Sequence, residues 1–519
     1  MNNFPFLSVL TVAPAVGALV VALLPRSNPR LAKVVALVWS LALLAITAVM
    51  CVVFKANGPR FQFRESYPWI PAWGIRLTVQ ADGIALVMLG LVAVLVPIVI
   101  AASWHDADKT KRSVNNYFAL LLALDATMVG VFAAADVFLF YAFFEVMLIP
   151  MYFLIGSFGG ARRQYAAVKF FLYSLFGGLF MLAAVIGLWV VGGHTLDWNT
   201  LSHISMSTST GRWLFLGFFL AFAIKAPFFP FHTWLPDAGG AAPAGAAALL
   251  VGVLDKVGTY GILRFCFSLF PEATRFFAPL GLALAVVGII YGSLLAVGQN
   301  DLKRLVAYTS IAHFGFIGIG IFAFTSQAGT GAVLYMLNHG LSTGALFLIV
   351  GMLVQRRGSA NIRDFGGAAK LVPVLAGCFL VVGFSSLALP GTSPFVSEFL
   401  VLLGTFSVHK ALAIVATSGV ILAAGYILWM YQRTMQGNLN PELSTSSGFK
   451  HDLTGREKWV VAPLIALIFI LGVYPKPVID VISPAVAATM HDVGKSDPVP
   501  ATRAVDNGSG GSSAVGDNK

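Results

Sequence analysis

Charge is scarce in this sequence. Only 11% of its 519 residues are Asp, Glu, Lys or Arg, against 58% hydrophobic. Soluble domains carry about 25% charged residues, so a string of soluble domains is excluded. Cysteine is scarcer still. Cys51, Cys266 and Cys378 stand far apart, each in an apolar stretch, with no CxxC, CxxCH or zinc-like spacing. That excludes iron–sulfur ligation here and leaves the three thiols as buried packing residues. No glycine-rich dinucleotide fingerprint sits between a strand and a helix. A basic leader is also lacking: Phe4 to Leu24 is apolar, and Arg26, Arg30 and Lys33 come only after it. This segment reads as a retained first helix with its N-terminus outside, not a secretory signal.

What the chain has instead is long apolar runs. A helix needs about 20 such residues to cross a bilayer, and about fourteen runs qualify, from 4–24 to 458–480. The expected fold is an all-α integral membrane protein of about fourteen transmembrane helices. The fourth and fifth runs are joined tightly at Ala134–Ala135–Asp136, and proline starts or interrupts the seventh, eighth and twelfth. Lys and Arg are more than twice as numerous in the odd-numbered loops (Lys109, Lys111, Arg112, Arg162, Arg163, Lys303, Arg304 and others) as in the even-numbered ones. Odd loops are therefore placed in the cytoplasm and both termini on the outer, periplasmic side. The loop charges account for the net +11, so no nucleic-acid partner is expected. The stretch 497–519, rich in Gly, Ser and Asp, is expected to be disordered.

Two runs should be broken helices. Pro227 and Pro230 follow Lys225 in the seventh, and each proline deprives the carbonyl four residues earlier of its partner, here Ala223 and Ala226. Pro390, Gly391 and Pro394 interrupt the twelfth, with Ser393 read as the cap of its second half and Glu398 one turn inside. Backbone left open at membrane depth needs protein or water to satisfy it. The two breaks lie five spans apart, an odd number. Spans 4–8 and 9–13 would thus form two five-helix repeats of opposite topology, a transporter pattern.

The remaining charges sit where charge is costly, and an ionisable residue at that depth marks a functional site by default. Glu145 lies roughly 13 Å into the core, counted from Asp136. It is either a structural ion-pair member or the partner that controls a lysine's proton. Lys225 is its natural partner. A carboxylate beside a lysine stabilises the ammonium, and moving it away favours proton loss. Lys256 lies 13 residues past Pro243 and 14 before Phe270, out of reach of either surface. Asp255 beside it is read as a tuning group. His313 and His339 occupy the middles of the tenth and eleventh spans, as relay groups, satisfied core residues or haem ligands. Glu398 is the acid at membrane depth in the second repeat. His232, Trp234 and Asp237 either line the cytoplasmic mouth or fold the loop. Asp125, Asp136, Lys169 and Arg264 are read mainly as helix-end, interface or hydrating residues.

KAPFFPFHTWLPDA, followed by AAPAGAAALLVGVLDKVGTYGILRF, resembles the proton-translocating antiporter-like subunits of respiratory complex I, a signature shared with Mrp-type antiporters and membrane-bound hydrogenases. The likeness covers roughly residues 80–435. Glu398, the break LPGTSPFVSEF and the chain's stop soon after the fourteenth span are similar to the NuoM type of subunit in bacterial NADH:quinone oxidoreductase. The resemblance implies a translocase subunit without redox chemistry of its own. NADH, FMN, iron–sulfur clusters and quinone would be held by partner subunits. It implies Glu145 and Lys225 as a coupled pair, Lys256 as central relay, His313 and His339 as the connection and Glu398 as the exit. It also implies NuoL-type and NuoN-type neighbours, contact with the lateral helix of the former, and the bacterial plasma membrane. The alternative is an Mrp-type sodium/proton antiporter subunit. The expected division is a three-helix region (1–110), two repeats (111–270 and 271–435), a loop with the last helix (436–485) and a polar tail (486–519).

Overall fold

The computed structural model describes residues 4–108 and 112–498. Lys109, Lys111 and the stretch 499–519 lie outside the described residues. The chain opens with α1 (Phe6–Leu23) and α2 (Pro29–Val53). Asn28 caps α2 by accepting the Leu31 amide, with Pro29 at the first helical position. A hairpin follows, β1 (Gln62–Ile70) antiparallel to β2 (Ile75–Ala81) and turning at Gly74. The apolar-run count had no place for it. Asp82 then caps α3 (Gly83–Ala102).

Next come α4 (Val114–Ala133), α5 (Val137–Val146), α6 (Leu148–Phe158) and α7 (Arg163–Val191). Asp136 separates α4 from α5 by accepting the amides of Phe138 and Leu139 at 2.9 and 3.1 Å. Helix α8 (Thr208–Lys225) ends at Lys225, short α9 (Trp234–Ala241) follows, and α10 runs from Ala244 to Leu269. Two stretches of α10, Leu250–Leu254 and Ile262–Cys266, are wound as π-helix on either side of Lys256. The second half comprises α11 (Pro271–Val297), α12 (Leu302–Phe322), α13 (Ser326–Arg357), α14 (Pro373–Ser386), α15 (Ser393–Phe406) and α16 (Lys410–Met435). It is followed by α17 (Gly455–Val473) and α18 (Lys476–Asp492).

Among the described residues, 11 helices are long and apolar enough to cross a membrane, or up to 12 if the bent pair α17 and α18 is one span. The expected fourteen is not reached by that measure, for physical reasons. Helix α8 carries Arg212 and Lys225, α14 and α15 are two short halves, and α17 meets α18 at 70°. The last run was therefore read too simply, and residues 486–492, assigned to the polar tail, complete α18. That helix buries Ile482, Val486 and Met490 on one face. Asp492 then binds Arg60 at 2.9 Å and Ser268 at 2.7 Å, fastening α18 beside the hairpin.

The seventh and twelfth spans do break, with two corrections in detail. The Ala223 carbonyl is not left open, because it accepts the Phe228 amide at 2.9 Å. Trp234 also donates to the Ile224 carbonyl at 2.9 Å, closing the gap. In the twelfth span Ser393 is the first helical residue and no side-chain cap forms. Thr392 precedes it and donates back to the Leu389 carbonyl. The cysteines divide as well. Cys266 is buried and Cys378 half-buried, whereas Cys51 is exposed on the outer face of α2.

Candidate functional site

Burial is most complete along the middle of the molecule. The apolar 18-residue stretches of helices α10, α12 and α13 are 100%, 94% and 94% buried. All the intramembrane histidines and Lys256 sit on these three helices. An ammonium there cannot reach water by extending, so its partners must come from the protein.

Lys256 finds two. Its Nζ donates to the Val251 carbonyl and contacts His339 Nδ1 at 2.6 Å, and it lies 5.2 Å from the Phe314 ring centre. The π-helical stretch before Lys256 includes Val251, and such bulges are frequent at functional sites. His339 and His313 face each other with ring centres 5.3 Å apart. Each ring keeps its Nε2 without a partner among the described residues. Rings at this centroid separation are in van der Waals contact, with no hydrogen bond joining them.

Beyond His313 the run continues through a residue that sequence reasoning missed. His313 Nδ1 lies 2.7 Å from the Tyr335 hydroxyl, and that hydroxyl donates to Glu398 Oε2 at 2.7 Å. Since Tyr335 donates its one proton to Glu398, its oxygen accepts from His313 Nδ1–H. Tyr335 is fully buried, four residues before His339, so both project from one face of α13. That spacing was the available signal. A neutral tyrosine in an apolar run simply does not stand out as a buried charge does.

The other half of the expected set is arranged differently. Lys225, 1% exposed, lies 5.1 Å from the Phe144 ring centre and 5.5 Å from that of Phe170. Glu145 is half-buried, next to Phe144 on α5, with its carboxyl lying on Gly178 of α7. Any Cβ at Gly178 would collide with Glu145 Oε1. Yet Glu145 and Lys225 form no ion pair, and neither Glu145 Oε1 nor Lys225 Nζ has a hydrogen-bond partner among the described residues. They are electrostatic neighbours separated by a gap.

Asp255 stands between the two halves. It is fully buried, both its carboxylate oxygens lack partners, and it interacts electrostatically with both Lys225 and Lys256. Helix α10 makes this possible by packing its backbone at Gly258 directly on Phe222 and Ala226, where α8 ends.

The charged groups around this axis do structural work. Asp237 binds Lys169 at 2.7 Å and Arg304 at 2.5 Å, tying α9 to α7 and α12. Burial pushes the Asp237 carboxyl up, but the two cations more than offset this and hold it below the usual carboxylate range. Asp237 and Trp234 thus fold the loop, while His232, 2% exposed, keeps its Nδ1 without a partner. Arg264 pairs with Asp82 at 2.8 Å, sealed under Phe61, Trp198 and Tyr260. Asp125 lies apart from the axis, lining a cavity of about 10 Å³ with Ser40 and Thr47. Among the described residues, no group of three His, Cys, Asp or Glu converges as a metal site would require.

Residues 134–423 match the family model described as NADH:quinone oxidoreductase/Mrp antiporter, transmembrane. The chain is 49% identical to NADH-quinone oxidoreductase subunit M of Mycobacterium tuberculosis over 96% of both proteins. It is 42% identical to subunit M of Rhodobacter capsulatus, over 93% of this chain and 95% of that one. A chain of respiratory complex I from Thermus thermophilus with bound NADH superposes with a TM-score of 0.85 at 30% identity, covering 94% of this chain and all of that chain. The Mrp complex from Dietzia sp. DQ12-45-1b shares the fold, with a TM-score of 0.78 at 23% identity over 94% of this chain and 52% of its own. This chain belongs to the NADH-quinone oxidoreductase subunit M family, the antiporter-like membrane subunits of respiratory complex I.

Proposed function

We propose that this chain is a proton-translocating membrane subunit of NADH:quinone oxidoreductase, and that Glu145, Lys225, Lys256, His339, His313 and Glu398 carry its proton path, with Tyr335 as an added member. The observation that carries this reading is the bonded run from Lys256 to His339 and from His313 through Tyr335 to Glu398, with all five groups buried. Every member can give and take a proton, and the two segments face each other across the histidine rings.

In this mechanism the Glu145–Lys225 separation is the input. In the conformation seen here the two are unbonded, and Lys225 feels Glu145 and Asp255 only across a gap. Approach of Glu145 would stabilise the Lys225 ammonium. Asp255, which senses both lysines, passes that change on to Lys256. Lys256 loses its proton to His339. The proton crosses to His313, whose Nδ1–H moves toward Tyr335 as Tyr335 hands its own to Glu398. Water would reach the two ends of the path beside the helix breaks at Pro227 and Pro390. Electron transfer from NADH to quinone takes place in partner subunits, which would hold FMN, iron–sulfur clusters and quinone. Flanking NuoL-type and NuoN-type subunits, opposed five-helix repeats, residence in the bacterial plasma membrane and outward-facing termini belong to the same proposal.

The alternative, an Mrp-type sodium/proton antiporter subunit, shares the fold. Glu398 at the end of the run and the high identity to subunit M over nearly the whole chain favour the first reading. Replacement of Lys256 by Ala in the intact complex tests it. Membrane vesicles should assemble the complex and oxidise NADH with fewer protons moved per electron. A wild-type ratio would refute the assignment.

A further inference from the structure

A groove of about 930 Å³ opens on the outer side of α1, α4, α5 and α6, away from the proton path. Its walls are apolar, including Leu19 of α1, Leu120 and Ala123 of α4, and Phe143 and Phe153 of α5 and α6. Its one charged lining residue is at one end, whereas the hydroxyls of Thr11 and Thr127 also line it farther in. Arg112 and Asn116, both exposed, stand at the mouth. Ser157 and Phe158 also line that end; the exposed Arg162 and Arg163 do not line the groove but follow four and five residues later in the chain, Arg163 opening α7. The nearby acid Asp108 is paired with Lys33 at 2.7 Å and with His105 at 2.8 Å, and does not line the groove.

The depth of the groove identifies its occupant. Its lining runs from Asn116 to Thr127 on α4, roughly 16 Å, and from Phe143 to Phe158 on α5 and α6, roughly 22 Å. Both fall short of the ~30 Å hydrocarbon core. Its inner end is shut where Phe143 packs its ring on Gly130 of α4, a contact of 2.6 Å for any added Cβ. A helix of a neighbouring subunit crosses the whole bilayer and needs a full-height face. An acyl chain spans one leaflet and carries its phosphate at the mouth, beside the arginines. We propose that this groove binds an anionic phospholipid, with its headgroup at Arg112, Arg162 and Arg163 and its chains along α1, α4 and α6. The chain ends reach Val146, one residue from Glu145, so the lipid covers the outer side of the helix that carries that carboxylate.

The test uses the whole complex in its native membrane. A photoreactive benzoylphenylalanine at Leu120 is irradiated, and the α4 peptide is analysed by mass spectrometry. The expected product is a phospholipid adduct with an anionic headgroup. The combined Arg112→Gln, Arg162→Gln and Arg163→Gln variant should lower its yield, by about fivefold for each guanidinium removed. An adduct to another subunit, a neutral lipid adduct unaffected by the three substitutions, or no adduct at all would overturn the proposal. Purification in mild detergent gives a second readout, in which the wild-type complex retains an anionic lipid that a groove-filling Ala123→Trp complex loses. Equal retention would contradict it.

Discussion

Replacing Tyr335 with Phe removes one oxygen atom from the middle of the proposed path. The ring stays, with its edge contact to His313 and tilted contact to Phe316 at centroid distances of 5.7 and 6.4 Å, so packing is little changed. Two hydrogen bonds vanish, the one from His313 and the one to Glu398. A hydrogen bond to a charged group contributes about 1.5–3 kcal/mol. If that stabilisation acts while the proton passes, losing it slows the step roughly 10- to 150-fold. NADH oxidation and vesicle acidification measured together in the variant should show fewer protons per electron, with normal amounts of assembled complex. Tyr335→Phe with a wild-type ratio would refute the role of the hydroxyl. A protein that failed to assemble would instead show Tyr335 to be a packing residue.

Gly178→Ala places a methyl where the Glu145 carboxyl lies. A displacement of about 1 Å in a reacting group can cost about 100-fold, so coupled proton transport should fall steeply while assembly survives. Arg264→Leu leaves Asp82 buried without its cation and should destabilise the subunit by about 3–5 kcal/mol, visible as less assembled complex after detergent extraction. Asp237→Asn tests the loop clamp by pH. The Asp237 carboxyl is held below its ordinary value, so its contribution is complete above the unfolded pKa of about 4 and fades as the pH falls through the lowered folded value. Wild type should therefore exceed the variant in thermal stability at neutral pH. The gap should close in acid, and a gap independent of pH would contradict the ion-pair account.

Much of the architecture was legible because membranes impose strict rules. Apolar runs give helices, and Pro227 and Pro390 give breaks. What hydropathy could not show was anything that depends on helices meeting. The hairpin 62–81 is too short and too polar to register as a span. The bend between α17 and α18 turns on Pro475 and on a half-apolar helix that reads like a tail. Chain order suggested a Glu145–Lys225 pair, but it cannot fix how α5 and α8 rotate, and they leave the two groups unbonded. Tyr335 escaped notice for a different reason. It carries no charge, and only the convergence of α12, α13 and α15 gives its hydroxyl two partners.

The account depends on Lys256 giving up its proton, and Lys256→Arg isolates that event. A guanidinium keeps the positive charge and can donate toward Val251 and His339, but it stays protonated under any condition a cell provides. Proton-to-electron ratios in vesicles bearing the fully assembled Lys256→Arg complex should fall well below wild type. A ratio equal to wild type would mean that protons cross this subunit without Lys256 ever releasing one.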